Sequence, residues 1–418
     1  MALRAAVVGG GLAGVAAALD LVDAGHEVML FEARPTLGGA VQTLPAREGD
    51  PEPPPDNGQH IALGCFTEYL SFLDRIGERR SYVRHPLALR VIGEDGRVAT
   101  IAPTLRSLLR YAHLSLRQRV RLARVLRRLR DPGITPHPEL NTQTFGEFLR
   151  RYGATDVQVE RFWDVFVRPA LNLPTDEASA VPALMTVRLA LLGNRSDSDL
   201  ILPTRPLGAM HGDAARQALE AAGATVATNT RVESLDDLDV DGIVVAVPPA
   251  ESARLLDEQS PVFDDSPIVS VHLLFDRPIL LHPLAALLAS DAHWVFDHGA
   301  LTRHAPARGQ YLTVVSSGAP ELMGLRGREL VDRIASQLTD RLGRAELLWS
   351  RVSREPRATI ALRPGTAALR PGVSTSQPNV TRAGAWTDTG WPATMEGAVR
   401  SGRTAARLLS NATAKVAA

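Results

Sequence analysis

The chain has 418 residues, of which 45% are hydrophobic and 22% charged, with 46 basic and 46 acidic side chains. This length predicts two to three domains of about 150 residues, and the composition excludes a disordered chain, a collagen and a polytopic membrane protein. Zero formal net charge gives no global field for nucleic acid, so no nucleic-acid partner is expected. Lys415 is the single lysine, and the arginine excess reads mainly as a coding bias of GC-rich genes. Cys65 is the single cysteine, so no intrachain disulfide or cysteine-based metal centre forms, and no metal is expected. Glycines interrupt the first apolar run at once, so no signal-peptide core is read. No stretch approaches ~18 apolar residues, so no spanning helix is expected.

In chain order, residues 4–8, 12–24 and 27–32 read as strand, helix and strand, with glycines 9–11 and Gly25 at the junctions. Residues 49–58 hold four prolines and read as a surface loop. Residues 104–192 carry helical periodicity, predicting a helical lid, with a helix after Asp156 carrying Phe162, Trp163 and Phe166 mainly as core. A helix is predicted at 209–222, ended by Gly223, and a buried strand at 243–247. Strands are predicted at 268–276, 293–297, 311–317 and 346–353, and a final helix at 394–409. The fold class is α/β, with two interleaved domains. One takes 1–60, 200–260 and 375–418; the other takes 61–199 and 261–374.

Three motifs carry chemistry. Gly9-x-Gly11-x-x-Gly14 follows a strand and opens a helix. Gly9 permits a tight turn, Gly11 lets the backbone approach a pyrophosphate, and Gly14 lets helix and strand pack closely. The helix N-terminus, from Leu12 and Ala13, attracts phosphate. Glu32, which ends the next strand, is placed to bind a ribose hydroxyl. Ala33, Arg34 and the second pair Gly38–Gly39 follow directly, where FAD enzymes of the glutathione-reductase type pass the pyrophosphate again. Near the end, residues 383–402 run strand, glycine turn, helix. Gly384, Asp388, Thr394, Met395 and Glu396 are expected at the cofactor, where the helix dipole stabilises negative charge on a reduced flavin. Together these select FAD over a nicotinamide cofactor and predict a Rossmann-like FAD-binding domain joined to a substrate domain of sheet plus helical lid.

Asp56-Asn57-Gly58-Gln59-His60 lies where the chain leaves the cofactor domain. His60 is the candidate proton donor, and Asp56 is expected to orient it or to donate in its place; the alternative is a turn held by Asp and Asn side chains. Asn172 is a candidate for the active site. Thr175 or Asp176 reads as a helix cap. Nine arginines and no acid fall within 104–130, which reads as an amphipathic segment for an anionic membrane or as a solvated lid face.

The chain resembles the flavin amine oxidase superfamily and, within it, the hydroxysqualene dehydroxylases. The residues that carry the resemblance are 7–14, Asp56–His60, the stretch 171–179 beginning Leu-Asn, and Trp386-Thr-Asp-Thr-Gly-Trp-Pro-Ala-Thr394. The resemblance spans 4–410. It implies FAD, with Val232 as a further cofactor contact. It implies reduction of hydroxysqualene to squalene in hopanoid or related triterpene biosynthesis. It also implies a hydrophobic C30 isoprenoid substrate, upstream squalene-pathway enzymes as partners, and a cytoplasmic chain peripheral on the inner face of the cell membrane. Desaturation of a carotenoid-like chain, oxidation of an amine or porphyrinogen, and a flavin-free prenyl-binding module remain the alternatives. Two positions depart from the relatives: Ala40 replaces a usual arginine and Ala385 a frequent aspartate, with Asp388 as a substitute.

Overall fold

The computed structural model describes residues 2–131, 133–134, 138–302 and 304–416. A five-stranded parallel sheet is centred on Arg4–Val8. Glu27–Phe31 and Thr225–Ala227 lie on one side of it, Gly242–Val245 and Val380–Arg382 on the other. Ala5, Ala6, Val7 and Val8 are all buried, the continuous apolar run of a strand covered on both faces. Helix Leu12–Asp23 covers one face and buries nine residues. The final helix, Met395–Val416, packs against it. A side chain at Gly402 would stand 2.0 Å from the Ala13 carbonyl oxygen, so glycine sets the closeness of that crossing.

The second sheet has seven strands. Their order is Leu347–Ile360, Asp265–Phe275, Gln310–Ser317, Trp294–Asp297, Leu284–Leu287, Leu89–Ile92 and Val98–Ile101. All pairs are antiparallel except Leu284–Leu287 with Leu89–Ile92. Val269, Val271, Leu273 and Phe275 pack on helix Arg328–Leu342 through Leu330, Ile334 and Leu338. The opposite face of that strand is covered too: Ser270 and His272 are buried. The buried Asp50–Arg351 ion pair pins the proline-rich loop to strand Leu347–Ile360, and Arg351 also donates to the Pro45 carbonyl at 2.9 Å.

Leu200–Pro203 pairs with Ala62–Leu63 and Tyr82–His85 in a three-stranded sheet. Helix Thr67–Arg75 buries Phe72 and Leu73 in the core of the parallel sheet. The helical layer contains Leu105–Arg110, Leu116–Leu129, Phe145–Arg151 and two longer helices, 156–171 and 180–192. Each of the last two contains a π-helical turn, Val159–Trp163 and Arg188–Leu192. Trp163 is fully buried against Phe145 and Phe162, as core. Thr175 and Asp176 cap no helix; the chain turns there, and Ala180–Val187 starts after Ser179.

Candidate active site

The first strand ends in a ledge without side chains. Gly9 has φ 111°, and a side chain on Gly14 would stand 1.8 Å from its carbonyl oxygen. Gly11 is extended (φ −73°, ψ 175°) and offers no side-chain cap to helix Leu12–Asp23. The first-turn N–H groups, including those of Leu12, Ala13 and Gly14, therefore suit an anion. The second glycine pair docks on the first. The Gly38 N–H donates to the Gly10 carbonyl at 2.9 Å, Gly11 and Gly38 form a parallel bridge, and a side chain on Gly39 would stand 2.8 Å from the Gly11 Cα.

Glu32 is tied to the same ledge. Its Oε2 accepts the Gly10 N–H at 2.7 Å and its Oε1 the Arg34 N–H at 2.8 Å. A carboxylate has about four lone-pair sites, so acceptors remain for ribose hydroxyls. Ala33 and Arg34 are exposed just beyond. Val232 is buried beside Val8 and Leu235, and its carbonyl accepts from Arg254 at 3.2 Å.

At the C-terminal motif, Gly384 has φ 153° and donates its N–H to Ser401 Oγ at 2.8 Å. Thr394 Oγ1 accepts the Gly397 N–H at 3.3 Å, and Met395 opens the last helix. The Glu396 carboxylate serves another purpose than cofactor contact. It is fully buried, accepts the Glu68 and Tyr69 N–H groups at 3.2 and 2.8 Å, and pairs with Arg400 at 2.7 Å. It therefore caps helix Thr67–Arg75. Asp388 is exposed and accepts the Gly390 N–H at 3.1 Å, holding a turn. Arg370, which the sequence did not single out, reaches the carbonyls of Ala385, Trp386 and Trp391 at 3.0, 3.3 and 2.8 Å and stiffens that turn. Its signal was the spacing of an arginine just before the last strand, too weak to read alone.

A cavity of about 390 Å³ begins at this ledge, with Leu12, Gly38, Ala40, Thr394 and Met395 in its wall. It passes residues 57–61 and runs between strand Leu347–Ile360 and helices 164–171 and 180–192, reaching Leu87, Trp294 and Phe296. Ala385 also lines it. Its walls are predominantly apolar, with few polar groups, the form of a site that orients a ligand by a handful of contacts.

His60 lies in that wall. Burial pushes its pKa down to about 4, so the imidazole is neutral near pH 7, and no partner bonds its ring among the described residues. That removes the imidazolium required for His60 to be a ready proton donor. Asp56 departs further from expectation: it does not line the cavity among the described residues. Its Oδ1 accepts from Thr43 Oγ1 at 2.6 Å and from the Leu207 N–H at 2.9 Å, so it fastens the crossing segment and does not orient His60. Burial pushes its carboxyl up to about 7, against those two bonds. Asn172 has φ 54° and touches the cavity, but its amide is spent on Ser266, Gly318 and Thr359. Asp176 and Glu177 pair with Arg150 and Arg363, each at 2.6 Å, at the surface. The Cys65 thiol lines the cavity, and burial pushes it up to about 12, so it is no thiolate.

Glu355 was missed. Among the described residues lining the cavity it is the single carboxylate, and its Oε1 accepts from Asn57 Nδ2 at 3.3 Å. The same Asn57 amide donates to the Ala40 carbonyl at 2.8 Å, beside the glycine ledge. The available signal was the cluster of charges at 351–357 in a largely half-buried strand.

Known proteins agree with this geometry. The flavin containing amine oxidoreductase family model matches residues 12–410. The hydroxysqualene dehydroxylase of Sinorhizobium fredii is 27% identical over 96% of this chain and 97% of its own length. That of Rhodopseudomonas palustris is 28% identical over the same shares. The solved structure of wild-type putrescine oxidase bound to putrescine superposes with a TM-score of 0.70 at 17% identity, covering 100% of both chains. The glycine ledge, the Glu32 carboxylate and the paired helix N-termini fit FAD, on which the enzyme depends for its oxidoreductase chemistry. The chain belongs to the flavin containing amine oxidoreductase family.

Proposed function

We propose that the enzyme reduces hydroxysqualene to squalene, replacing the hydroxyl with hydrogen, in hopanoid or related triterpene biosynthesis. The observation that carries this reading is a predominantly apolar cavity that opens from the FAD ledge and holds one carboxylate, in a chain similar along its length to two hydroxysqualene dehydroxylases. With it we propose the FAD-binding domain 1–60, 200–260 and 375–418 and the substrate domain 61–199 and 261–374. The ledge residues from Gly9 to Gly39 would bind the cofactor together with Val232, Gly384 and the Thr394–Met395 helix start. A C30 chain is nearly insoluble in water, so upstream squalene-pathway enzymes are the natural suppliers, and the position is peripheral on the inner face of the cell membrane.

FAD, when bound and reduced, supplies the hydride. The chain does the rest. Phe166, Leu189, Trp294, Phe296 and Ile360 line the cavity and exclude water from a carbon that gains cationic character as the hydroxyl departs. Neutral His60 offers one ring donor and one acceptor to position that hydroxyl. Glu355 Oε2, the oxygen that Asn57 does not bond, is the atom we assign to hold the proton that leaves with it as water. Anaerobic incubation of photoreduced enzyme with hydroxysqualene, followed by product analysis, tests the proposal. Squalene formed with reoxidation of the flavin is the expected result. A reduced flavin left unreacted, with oxidised protein desaturating a carotenoid instead, would replace it.

A further inference from the structure

The helices Leu105–Arg110 and Leu116–Leu129, with the C-cap Arg130, carry nine arginines and no acid. Arg119 is spent on the backbone, donating to the Leu114 and Leu109 carbonyls at 2.7 and 2.8 Å and closing the turn between the helices. None of the other eight makes an ion pair among the described residues. Elsewhere acids are interspersed and many arginines are paired, as with Arg150, Arg161, Arg254 and Arg363. Coding bias explains the choice of arginine over lysine but not this segregation of unpaired charge.

The same surface shows apolar side chains to solvent. Leu105 and Leu116 are 65% and 68% exposed, Leu109 and Val120 43% and 40%. Leu105 and Leu109 on the first helix, and Leu116 and Val120 on the second, are spaced i, i+4, so each helix presents one outward apolar stripe. Helix Leu116–Leu129 also buries Leu122, Val125 and Leu129 in the core on its other side. A helix lying on a protein in water needs one apolar face; this one has two. Beneath the pair lies a second cavity, of about 270 Å³, walled by Ile101, Leu108, Tyr111, Leu126, Phe162 and Leu191, with exposed Arg127 and Arg130 at its margin.

We propose that this helix pair docks on an anionic bilayer. Its outward leucines enter the acyl region and its free arginines meet lipid phosphates. The second cavity takes one acyl chain of a bilayer lipid, whose phosphate lies at Arg127 and Arg130. A nucleic acid would satisfy the arginines but leave the leucines against a polar backbone, so the apolar stripe selects the membrane. The proposal deepens the peripheral position given above and does not rest on the identity of the reaction.

Co-sedimentation of the full-length, FAD-loaded protein with vesicles of phosphatidylglycerol and phosphatidylcholine tests it, with pure phosphatidylcholine vesicles as the neutral probe. Binding to the anionic vesicles at low salt is expected, with loss near 1 M salt, where the Debye length is about 3 Å. The combined change Arg117→Gln, Arg121→Gln, Arg124→Gln should weaken that binding by roughly 10²-fold, the worth of three basic residues near a charged surface. Leu105→Ser with Leu116→Ser should weaken it roughly tenfold while keeping its salt dependence. Ala123→Phe, which fills the second cavity, should leave adsorption intact and abolish phosphatidylglycerol that co-purifies through gel filtration. No binding by the wild type at low salt, equal binding by the arginine variant, or binding of an oligonucleotide with none to vesicles would overturn the docking surface. A wild type that retains no phosphatidylglycerol would overturn the lipid-chain assignment. Turnover of detergent-dispersed hydroxysqualene by the same variants should match the wild type, so failure here is distinguishable from failure of the assigned reaction.

Discussion

Gly39 and Gly11 meet backbone to backbone, so closely that a side chain on Gly39 would stand 2.8 Å from the Gly11 Cα. Gly39 also has φ 63°, which strains any residue with a Cβ. Gly11 differs: its missing Cβ would meet the Gly39 Cα at 3.7 Å, an ordinary contact. The space before it is open to a ligand and free of protein. Gly11→Val should therefore leave the apoprotein folded, with a thermal midpoint near wild type, while abolishing FAD binding. Gly39→Ala should weaken FAD binding and also lower the midpoint. Flavin absorbance after reconstitution, read beside thermal melts, checks both; a folded Gly11→Val protein with stoichiometric FAD would sink the ledge assignment.

Asp56 offers a test that separates a fastener from an acid. Both of its bonds, from Thr43 Oγ1 and from the Leu207 N–H, end on Oδ1. An asparagine amide oxygen accepts both equally well. Asp56→Asn should keep FAD, stability within about 1 kcal/mol and turnover within a few-fold. Asp56→Ala leaves the buried Thr43 hydroxyl and Leu207 N–H without acceptors and should cost about 1–3 kcal/mol. Urea midpoints and single-turnover flavin reoxidation measure the two. A large loss of turnover in Asp56→Asn, with stability unchanged, would return Asp56 to the chemistry.

The parts of this site that depend on local sequence were legible, and those that depend on distant contacts were not. Gly9, Gly11 and Gly14 between a buried strand and a small-residue helix leave few alternatives, and the strand Arg4–Val8 falls where the pattern places it. Glu396 also stands in a legible motif, yet its carboxylate caps a helix more than 300 residues earlier in the chain, which spacing cannot reveal. His60 stands in the crossing segment that the sequence singles out, but its charge state depends on the depth of burial. Strand Leu347–Ile360 was read as ending at residue 353. The strand continues because Pro356 sits where the ladder to Asp265–Phe275 shifts register, between the pairs Ser266–Thr359 and Ile268–Glu355. Glu355 lies on this extension, paired with Ile268, which lines the same cavity, so the missed strand end and the missed carboxylate are one error.

Stability should depend steeply on acid. Burial lowers His60, His211 and His298 to about 4 and His272 and His293 to about 3. In the unfolded chain each returns to about 6.5. As pH falls below 6.5 the unfolded chain takes up protons that the folded chain refuses, so the histidine contribution is whole above 6.5 and is lost down to about 4 and below. Asp56 acts in the opposite sense over the same range. Its carboxyl is raised to about 7, so its contribution is whole below about 4 and is lost as pH rises through 7. Five groups against one give a net loss of stability on acidification, each worth about 1.4 kcal/mol per pH unit. Urea midpoints should fall continuously from pH 6.5 to 4.5 and level off above 7. A midpoint flat from 6.5 to 5 would show that these histidines are already protonated in the fold.

Glu355 carries the sharpest prediction about turnover. Among the described residues lining the main cavity it is the single carboxylate, fixed through Asn57 to the Ala40 carbonyl beside the ledge. A hydroxyl leaves poorly without a proton, and a positioned acid is worth roughly 10²–10⁴-fold. Glu355→Gln retains an acceptor oxygen for Asn57 but has no acidic proton. It should keep FAD and the wild-type thermal midpoint while slowing flavin reoxidation by hydroxysqualene at least 10²-fold. His60→Ala should slow the same step less, because a neutral imidazole positions the hydroxyl without supplying the proton. Anaerobic stopped-flow of the photoreduced enzyme reads all three proteins directly. The discriminating result is the order of the two variants: Glu355→Gln should be slower than His60→Ala. Wild-type rates in Glu355→Gln, with loss confined to His60→Ala, would move the proton to the histidine or to a bound water and leave Glu355 as a strut for Asn57.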